Sequence, residues 1–180
     1  QTKREVRRRP NNSLVWEETD RAQQLFAYDS ILTLDRSTAE MNLRGDTKIL
    51  LSENTLVSIE PPPPNGVAHG PIRLHFKKGR VGANIGRTPQ SIETEEWILE
   101  AEPQSQISLR AEGQTHLKLE AQKGEVKVIN PRTEQVVQTL KAGEILNIEN
   151  QKIDDPQKAM MIEWQRKLVM TQYLSSNWGC

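Results

Sequence analysis

The fold is decided by the stretch Ile72-Arg-Leu74-His-Phe76-Lys-Lys78-Gly79-Arg-Val81, whose pattern recurs at Leu117-Lys-Leu119-Glu-Ala121-Gln-Lys123-Gly124-Glu-Val126. In both copies apolar residues take alternate positions, which is the period-two pattern of a strand with one face in a core. In each copy the alternating run is followed by Lys-Gly, where glycine can adopt the positive φ of a tight turn. A second alternating run comes after it. The pattern therefore predicts a β-hairpin that the chain uses twice.

Composition limits the classes of partner and of core. The 180 residues include 24 basic and 24 acidic ones, so no net field gathers phosphate-rich molecules, and we expect no nucleic acid as partner. Only 35% of the residues are hydrophobic and 4% are aromatic, which favours a lean core between thin layers of short strands. The single cysteine, Cys180, excludes an intrachain disulfide bond.

Short alternating runs continue on both sides of the repeated stretch, and turn-forming residues such as Gly45-Asp46 separate them. We predict an all-β domain over residues 13–150, made of short antiparallel strands in repeated hairpins. A sandwich, a roll and a short β-solenoid all show this alternation. The prolines from Pro61 to Pro64 lack backbone donors, so they are predicted to form a stiff loop between two halves of the domain.

The first twelve residues carry five basic side chains and almost nothing to bury. They predict a basic, solvated N-terminal arm over residues 1–12. The alternative is a segment beside a membrane anchor, attracted to anionic lipid headgroups. We expect contact with a membrane only through such an anchor, outside this sequence and N-terminal to Gln1.

The period changes near the C-terminus, where residues 151–180 are predicted to form a helical appendage. One amphipathic helix is expected from about Pro156 to Leu174. Met161, Trp164 and Leu168 form its apolar stripe, at steps of three and four residues. The stripe either packs on the sheet or binds a partner protein.

No arrangement of residues indicates a reaction. The histidines are His69, His75 and His116, and no two of them have the short spacing of a helix-borne zinc site. No serine lies in the small-residue elbow that exposes a nucleophile. We therefore predict no catalytic residue, no metal and no cofactor. A metal-dependent barrel enzyme is the least favoured alternative, since it requires His75 and His116 to converge.

Two tryptophans are the candidates for ligand stacking. If the chain binds carbohydrate or peptidoglycan, Trp16 or Trp97 would stack on the sugar rings. Both lie within apolar strand runs, which favours burial of the rings instead.

The order of motifs resembles FecR-type domains, the extracytoplasmic sensor modules of cell-surface signalling in Gram-negative bacteria. The likeness covers residues 13–148 and rests on Val15-Trp16, Leu25-Phe26-Ala-Tyr28-Asp29-Ser30-Ile31-Leu-Thr33, Ser37-Thr-Ala39-Glu-Met-Asn-Leu43, Lys48-Ile-Leu-Leu51 with Asn54-Thr-Leu56, both Lys-Gly motifs and Leu140-Lys-Ala-Gly143-Glu144. Tyr28 stands where the family usually has glycine.

The resemblance implies a membrane-anchored periplasmic protein of the cell envelope, held at the inner membrane by an N-terminal segment. It further implies signalling without catalysis and another envelope protein as partner. That partner would be bound by strand addition at a sheet edge or by the C-terminal helix. A carbohydrate- or peptidoglycan-binding module is the alternative.

Overall fold

The computed structural model describes residues 5–19, 22–61, 73–112, 115–149, 152–153 and 156–158. In chain order their strands are β1 (Val6–Arg9), β2 (Glu17–Thr19), β3 (Ser30–Thr33), β4 (Ala39–Leu43), β5 (Thr47–Leu51), β6 (Leu56–Glu60), β7 (Arg73–Asn84), β8 (Gln90–Glu93), β9 (Ile98–Ala101), β10 (Gln106–Glu112), β11 (His116–Lys123), β12 (Glu125–Ile129), β13 (Val136–Lys141), β14 (Glu144–Glu149), β15 (Lys152–Ile153) and β16 (Gln157–Lys158). A 3-10 turn, Arg44–Asp46, joins β4 to β5. The all-β prediction is confirmed for these residues. In this part of the chain no helix has the length and apolarity to cross a membrane.

The strands form two sheets that share β7. The first sheet has the order β2-β1-β3-β6-β7-β8-β9-β12-β13, and the second has β4-β5-β7-β10-β11-β14, with β15 and β16 beside β14. Neighbouring strands run antiparallel, except that β8 is parallel to β7. The prediction of mainly antiparallel pairing is therefore confirmed, with one parallel pair.

One apolar core lies between the sheets, because inward-facing residues of both belong to a single buried cluster. In strand β5, for example, buried and exposed residues alternate, as expected of a strand with one face in a core. Full burial of each large aliphatic side chain contributes about 1.5–3 kcal/mol. The deepest residues are at most 1% exposed and include Val57, Leu74, Leu99, Ile49, Leu109 and Leu119.

The repeated Lys-Gly stretch is not a hairpin, so this prediction is wrong. Residues 73–78 of β7 pair with β6 in the first sheet, and beyond Gly79 the same strand pairs with β10 and β5 in the second. Gly124 likewise separates β11 in the second sheet from β12 in the first. Both glycines have positive φ, 97° and 79°. They are the points at which the chain passes from one sheet to the other.

At each crossing, a side-chain hydroxyl group accepts a hydrogen bond from the backbone N–H of the residue after the glycine. Thr55 Oγ1 accepts a hydrogen bond from Arg80 N at 2.9 Å, and Ser105 Oγ accepts one from Glu125 N at 3.1 Å. A Cβ atom at Gly79 would lie 2.5 Å from Thr55 Cα, and one at Gly124 would lie 2.8 Å from Ser105 Cα. Only glycine fits at these two positions, because the backbone of Thr55, just before β6, or of Ser105, just before β10, lies too close for a side chain.

The two ends of the chain also differ from the predictions. Val6–Arg9 lies in the expected solvated arm but forms β1, paired with β2 and β3 in the first sheet. The C-terminal helix does not begin at Pro156, because Gln157–Lys158 is strand β16 and pairs with β14. The rest of the predicted helix, with Met161, Trp164 and Leu168, lies outside the described residues.

The proline loop joins two strands that are neighbours in the first sheet. Strand β6 ends at Glu60, which lies opposite Arg73 at the start of β7. Arg73 also donates from Nε and Nη2 to the carbonyl oxygen of Pro61, at 3.3 and 3.1 Å. Of the predicted loop only Pro61 is among the described residues.

Candidate functional site: an exposed apolar surface beside the first strand

Four large apolar side chains are exposed at one end of the first sheet. Leu14 and Val15, in the segment after β1, are 94% and 66% exposed, and Phe26 and Tyr28, in the segment before β3, are 53% and 57% exposed. Because β1 and β3 pair antiparallel, these two segments leave the sheet at the same end. We call the four residues the N-terminal apolar surface. Large apolar groups exposed at one end of a sheet are candidates for contact with another molecule.

The buried carboxylate of Asp29 ties the two segments to β1. Asp29 is 1% exposed and accepts hydrogen bonds from Asn11 N at 3.2 Å and Phe26 N at 2.9 Å. Its Oδ2 atom also accepts from Nε and Nη2 of Arg8, at 2.9 and 2.7 Å. A single side chain therefore fixes both loops that carry the exposed residues. Such a charge needs these donors, because burying it unpaired would be very costly.

Two arginines of β1 support aromatic rings beside this surface. The guanidinium carbon of Arg8 lies 5.9 Å from the centre of the Phe26 ring, and that of Arg9 lies 5.3 Å from the centre of Trp16. Neighbouring residues of a strand point to opposite faces, so one ring is held on each side of β1. The contacts are attractive, because each cation meets the negative face of a ring.

Tyr28 combines an exposed ring with a backbone conformation that is unfavourable for residues other than glycine. Its φ is 68°, a conformation that costs residues with a Cβ atom roughly 1–2 kcal/mol. Tyr28 N donates to Ile59 O at 2.6 Å, which holds the backbone in place. The exposed ring recovers little of that cost through burial. Strained residues of this kind cluster at functional sites, so Tyr28 is the leading candidate for contact with a ligand.

The two tryptophans that were the candidates for sugar stacking lie in different environments. Trp16 is half-buried and lies beneath Arg9. Trp97 is 8% exposed and belongs to the core, and its Nε1 atom has no hydrogen-bond partner in the described part of the chain. The structure therefore brings the two rings to separate places, one at the surface and one inside.

His75 and His116 occupy different sheets. His75 lies in the first-sheet half of β7, and His116 begins β11 of the second sheet, where its Nε2 atom is 2.9 Å from Glu149 Oε1. Among the described residues, no three His, Cys, Asp or Glu side chains are grouped as a metal ion requires. These positions give the barrel-enzyme alternative no support.

A row of Ser58, His75 and Glu93 crosses three neighbouring strands in register. Residues of these types can form a nucleophilic triad when hydrogen bonds link them. Within the described ranges no hydrogen bond joins the three, and Glu93 Oε1 instead binds Arg73 Nη1 at 2.6 Å. The row therefore lacks the geometry of a triad.

Sequence reasoning missed the N-terminal apolar surface. Neither Leu14 nor Phe26 lies in a strand, so no periodicity in the sequence marks their side chains as exposed. The available indication was Tyr28, an aromatic residue at a position where the resembled family has glycine.

Neither a protein-family model nor a curated protein matches the chain. Two crystal structures of a putative anti-sigma factor from Parabacteroides distasonis ATCC 8503 are similar to it. In each case the TM-score is 0.57 and the sequence identity 16%, over 72% of this chain and 59% of that one. The chain thus spans less than two thirds of that protein, and at this identity the likeness concerns the fold alone. Over 72% of its length, the chain shares the fold of that Parabacteroides distasonis protein.

Proposed function

We propose that this chain is a non-enzymatic protein-binding module of the bacterial cell envelope, of the kind found in FecR-type signalling proteins. It works in the periplasm, is anchored at the inner membrane, and recognises another envelope protein. The order of motifs between residues 13 and 148 supports this proposal, as does the fold shared with a protein described as a putative anti-sigma factor.

The N-terminal apolar surface is the observation that carries the proposal. Its aromatic members, Phe26 and Tyr28, are the residue types that dominate the energy of protein interfaces. The surface is also rigidly held, because Asp29 binds Arg8, Asn11 and Phe26 together. A pre-ordered surface loses little side-chain and loop entropy when a partner binds, which favours affinity.

Site-specific photo-crosslinking in the bacterium that encodes the chain tests this function. A photoreactive amino acid at Leu14 or at Tyr28 should give adducts with one envelope protein, identified by mass spectrometry. Leu50 is the matched control, since it is 51% exposed and apolar but lies on β5 of the second sheet. Equal adducts at all three positions, or none at Leu14 and Tyr28, would contradict the proposal.

Substitution of the aromatic anchor gives a quantitative form of the same test. Tyr28→Ala should weaken partner binding by about 1–3 kcal/mol, the usual loss for a central aromatic contact. Leu50→Ala should leave affinity unchanged. Affinity is measured by biolayer interferometry with the protein that the crosslinks identify. The stripe of Met161, Trp164 and Leu168 stays a second predicted contact, outside the described residues.

A further inference from the structure

We propose that two copies of this chain associate through strand β13, paired antiparallel edge to edge about a twofold axis. β13 is the last strand of the first sheet, and within the described part of the chain it pairs only with β12, which leaves its other side as an open edge. One backbone donor of the strand, Lys141 N, is already bonded to Glu144 Oε2 at 2.8 Å. An open edge of this kind is a template for a further strand. This inference rests on a different surface from the proposed function.

Of the three edge strands β2, β4 and β13, β13 is the longest, and a register shift in its pairing with β12 leaves Val137 without a partner residue on that strand. β2, at the opposite end of the first sheet, has three residues and exposes Glu17 and Glu18. β4, at the edge of the second sheet, exposes Glu40 and Asn42. Edge charges of this kind prevent unwanted pairing. β13 has six residues and no charge before its last, Lys141.

Apolar side chains surround this edge on the outer face of the sheet. Val136 and Val137 are 52% and 47% exposed. Val136 lies opposite Ile129 of β12, and Ile129 lies opposite Ile98 of β9. Ile98 and Ile129 are both half-buried, so a row of apolar residues leads across the sheet to the open edge. Pairing at the edge would cover the end of this row.

The rest of the outer face there is charged, which confines the apolar row to one end. Lys127 of β12 donates a hydrogen bond to the carboxylate of Glu102, and this contact raises the pKa of Lys127. Thr139 of β13 lies opposite Lys127. The exposed apolar area is therefore limited to the part of the edge around Val136 and Val137.

The charges at the two ends of β13 indicate which molecule pairs with it. Glu134 precedes the strand and Lys141 ends it, and both are exposed. Neither side chain has an ion-pair partner among the residues that the structure describes. Antiparallel self-pairing brings Lys141 of each copy to the Glu134 end of the other, so opposite charges meet twice. Parallel pairing would bring like charges together. The charges at the two ends of β13 are therefore complementary to those of a second, antiparallel copy of the same strand.

Sedimentation velocity of the full chain at increasing concentration tests the association. We expect a reversible dimer. Val137→Lys should leave only monomer, because a lysine at an open edge opposes pairing. Leu50→Lys is the matched control, since it places the same charge at an equally exposed apolar residue that is not at an edge. Circular dichroism confirms that both variants fold. Monomer at every concentration in the wild type, or dimer in Val137→Lys, would overturn the proposal.

A charge swap tests the orientation. Glu134→Lys and Lys141→Glu should each raise the dimer Kd about fivefold, since each removes two symmetric ion pairs. The double variant Glu134→Lys/Lys141→Glu should return the Kd to within about twofold of the wild-type value, because it restores both pairs in reversed order. A double variant that dimerises no better than the single ones would overturn the antiparallel assignment.

Discussion

At the scale of single residues, Tyr28 holds an exposed ring on a strained backbone. Tyr28→Gly should raise the free energy of unfolding by about 0.5–1 kcal/mol, because the relief of strain exceeds the extra entropy of glycine in the unfolded chain. Urea denaturation measures the change. Arg36→Gly is the control, since Arg36 also has positive φ, 55°, and its side chain is 78% exposed. Both variants should be stabilised, and only Tyr28→Gly should lose the adduct that a photoreactive amino acid at Leu14 forms with the envelope protein. A destabilised Tyr28→Gly would mean that the ring packs on the domain.

Asp29 is the residue on which the position of both loops depends. Asp29→Asn should lower the free energy of unfolding by about 2–4 kcal/mol, because the charge of Arg8 loses its partner and the new amide group cannot accept every bond from Asn11 and Phe26. Asp35→Asn should change it by less than about 0.5 kcal/mol, since Asp35 is 75% exposed and lies 3.8 Å from Arg36. Guanidinium denaturation measures both values, and similar losses in the two variants would show that Asp29 does not organise the loops.

At the scale of the elements, sequence periodicity located the strands but not their partners. Alternation reports which face of a strand is buried, so β5 and β11 were predictable from Lys48-Ile-Leu-Leu51 and Leu117-Lys-Leu119. The pairing of β7 depends instead on contacts distant in sequence, such as that between Thr55 and Arg80. A glycine with positive φ fits a hairpin turn and a crossing between sheets equally well.

The same limit explains the errors at the N-terminus. Val6–Arg9 lacks the apolar alternation of an independent strand, because three of its four residues are arginines. It pairs in the sheet because Arg8 donates a hydrogen bond to the buried carboxylate of Asp29, which lies twenty-one positions later in the chain. Local pattern does not contain that pairing, so β1 was not predictable, and Tyr28 was the one indication of the surface beside it.

Substitution of glycines in β7 tests the crossing. Gly79→Ala should lower the free energy of unfolding by about 2–4 kcal/mol, because the new Cβ would need the positive φ of 97° and would overlap the backbone of Thr55. Gly82→Ala, three positions further along the same strand, should be neutral or slightly stabilising, since no atom lies within 4 Å of its Cβ position. Thermal unfolding compares the two. Equal effects would contradict the close approach of the chain at Gly79.

At the scale of the whole molecule, the chain passes repeatedly between two sheets that share one core. β7 belongs to both sheets, β11 and β12 cross through Gly124, and β13 and β14 lie in different sheets. Neither sheet has a core of its own, because the buried cluster includes residues from both. The two sheets are therefore expected to unfold together rather than as separate units.

Leu109→Ala tests this cooperativity. Leu109 is fully buried in β10 of the second sheet, so the substitution should cost about 2–5 kcal/mol. Native-state hydrogen exchange then measures the opening free energy of the slowest amides in β10 and β11 and, separately, in β8 and β9 of the first sheet. Because the two sheets share one core, the opening free energies of both sets of amides should fall by the same amount. If β8 and β9 keep their protection while β10 and β11 lose theirs, the sheets unfold independently, and β7 does not couple them.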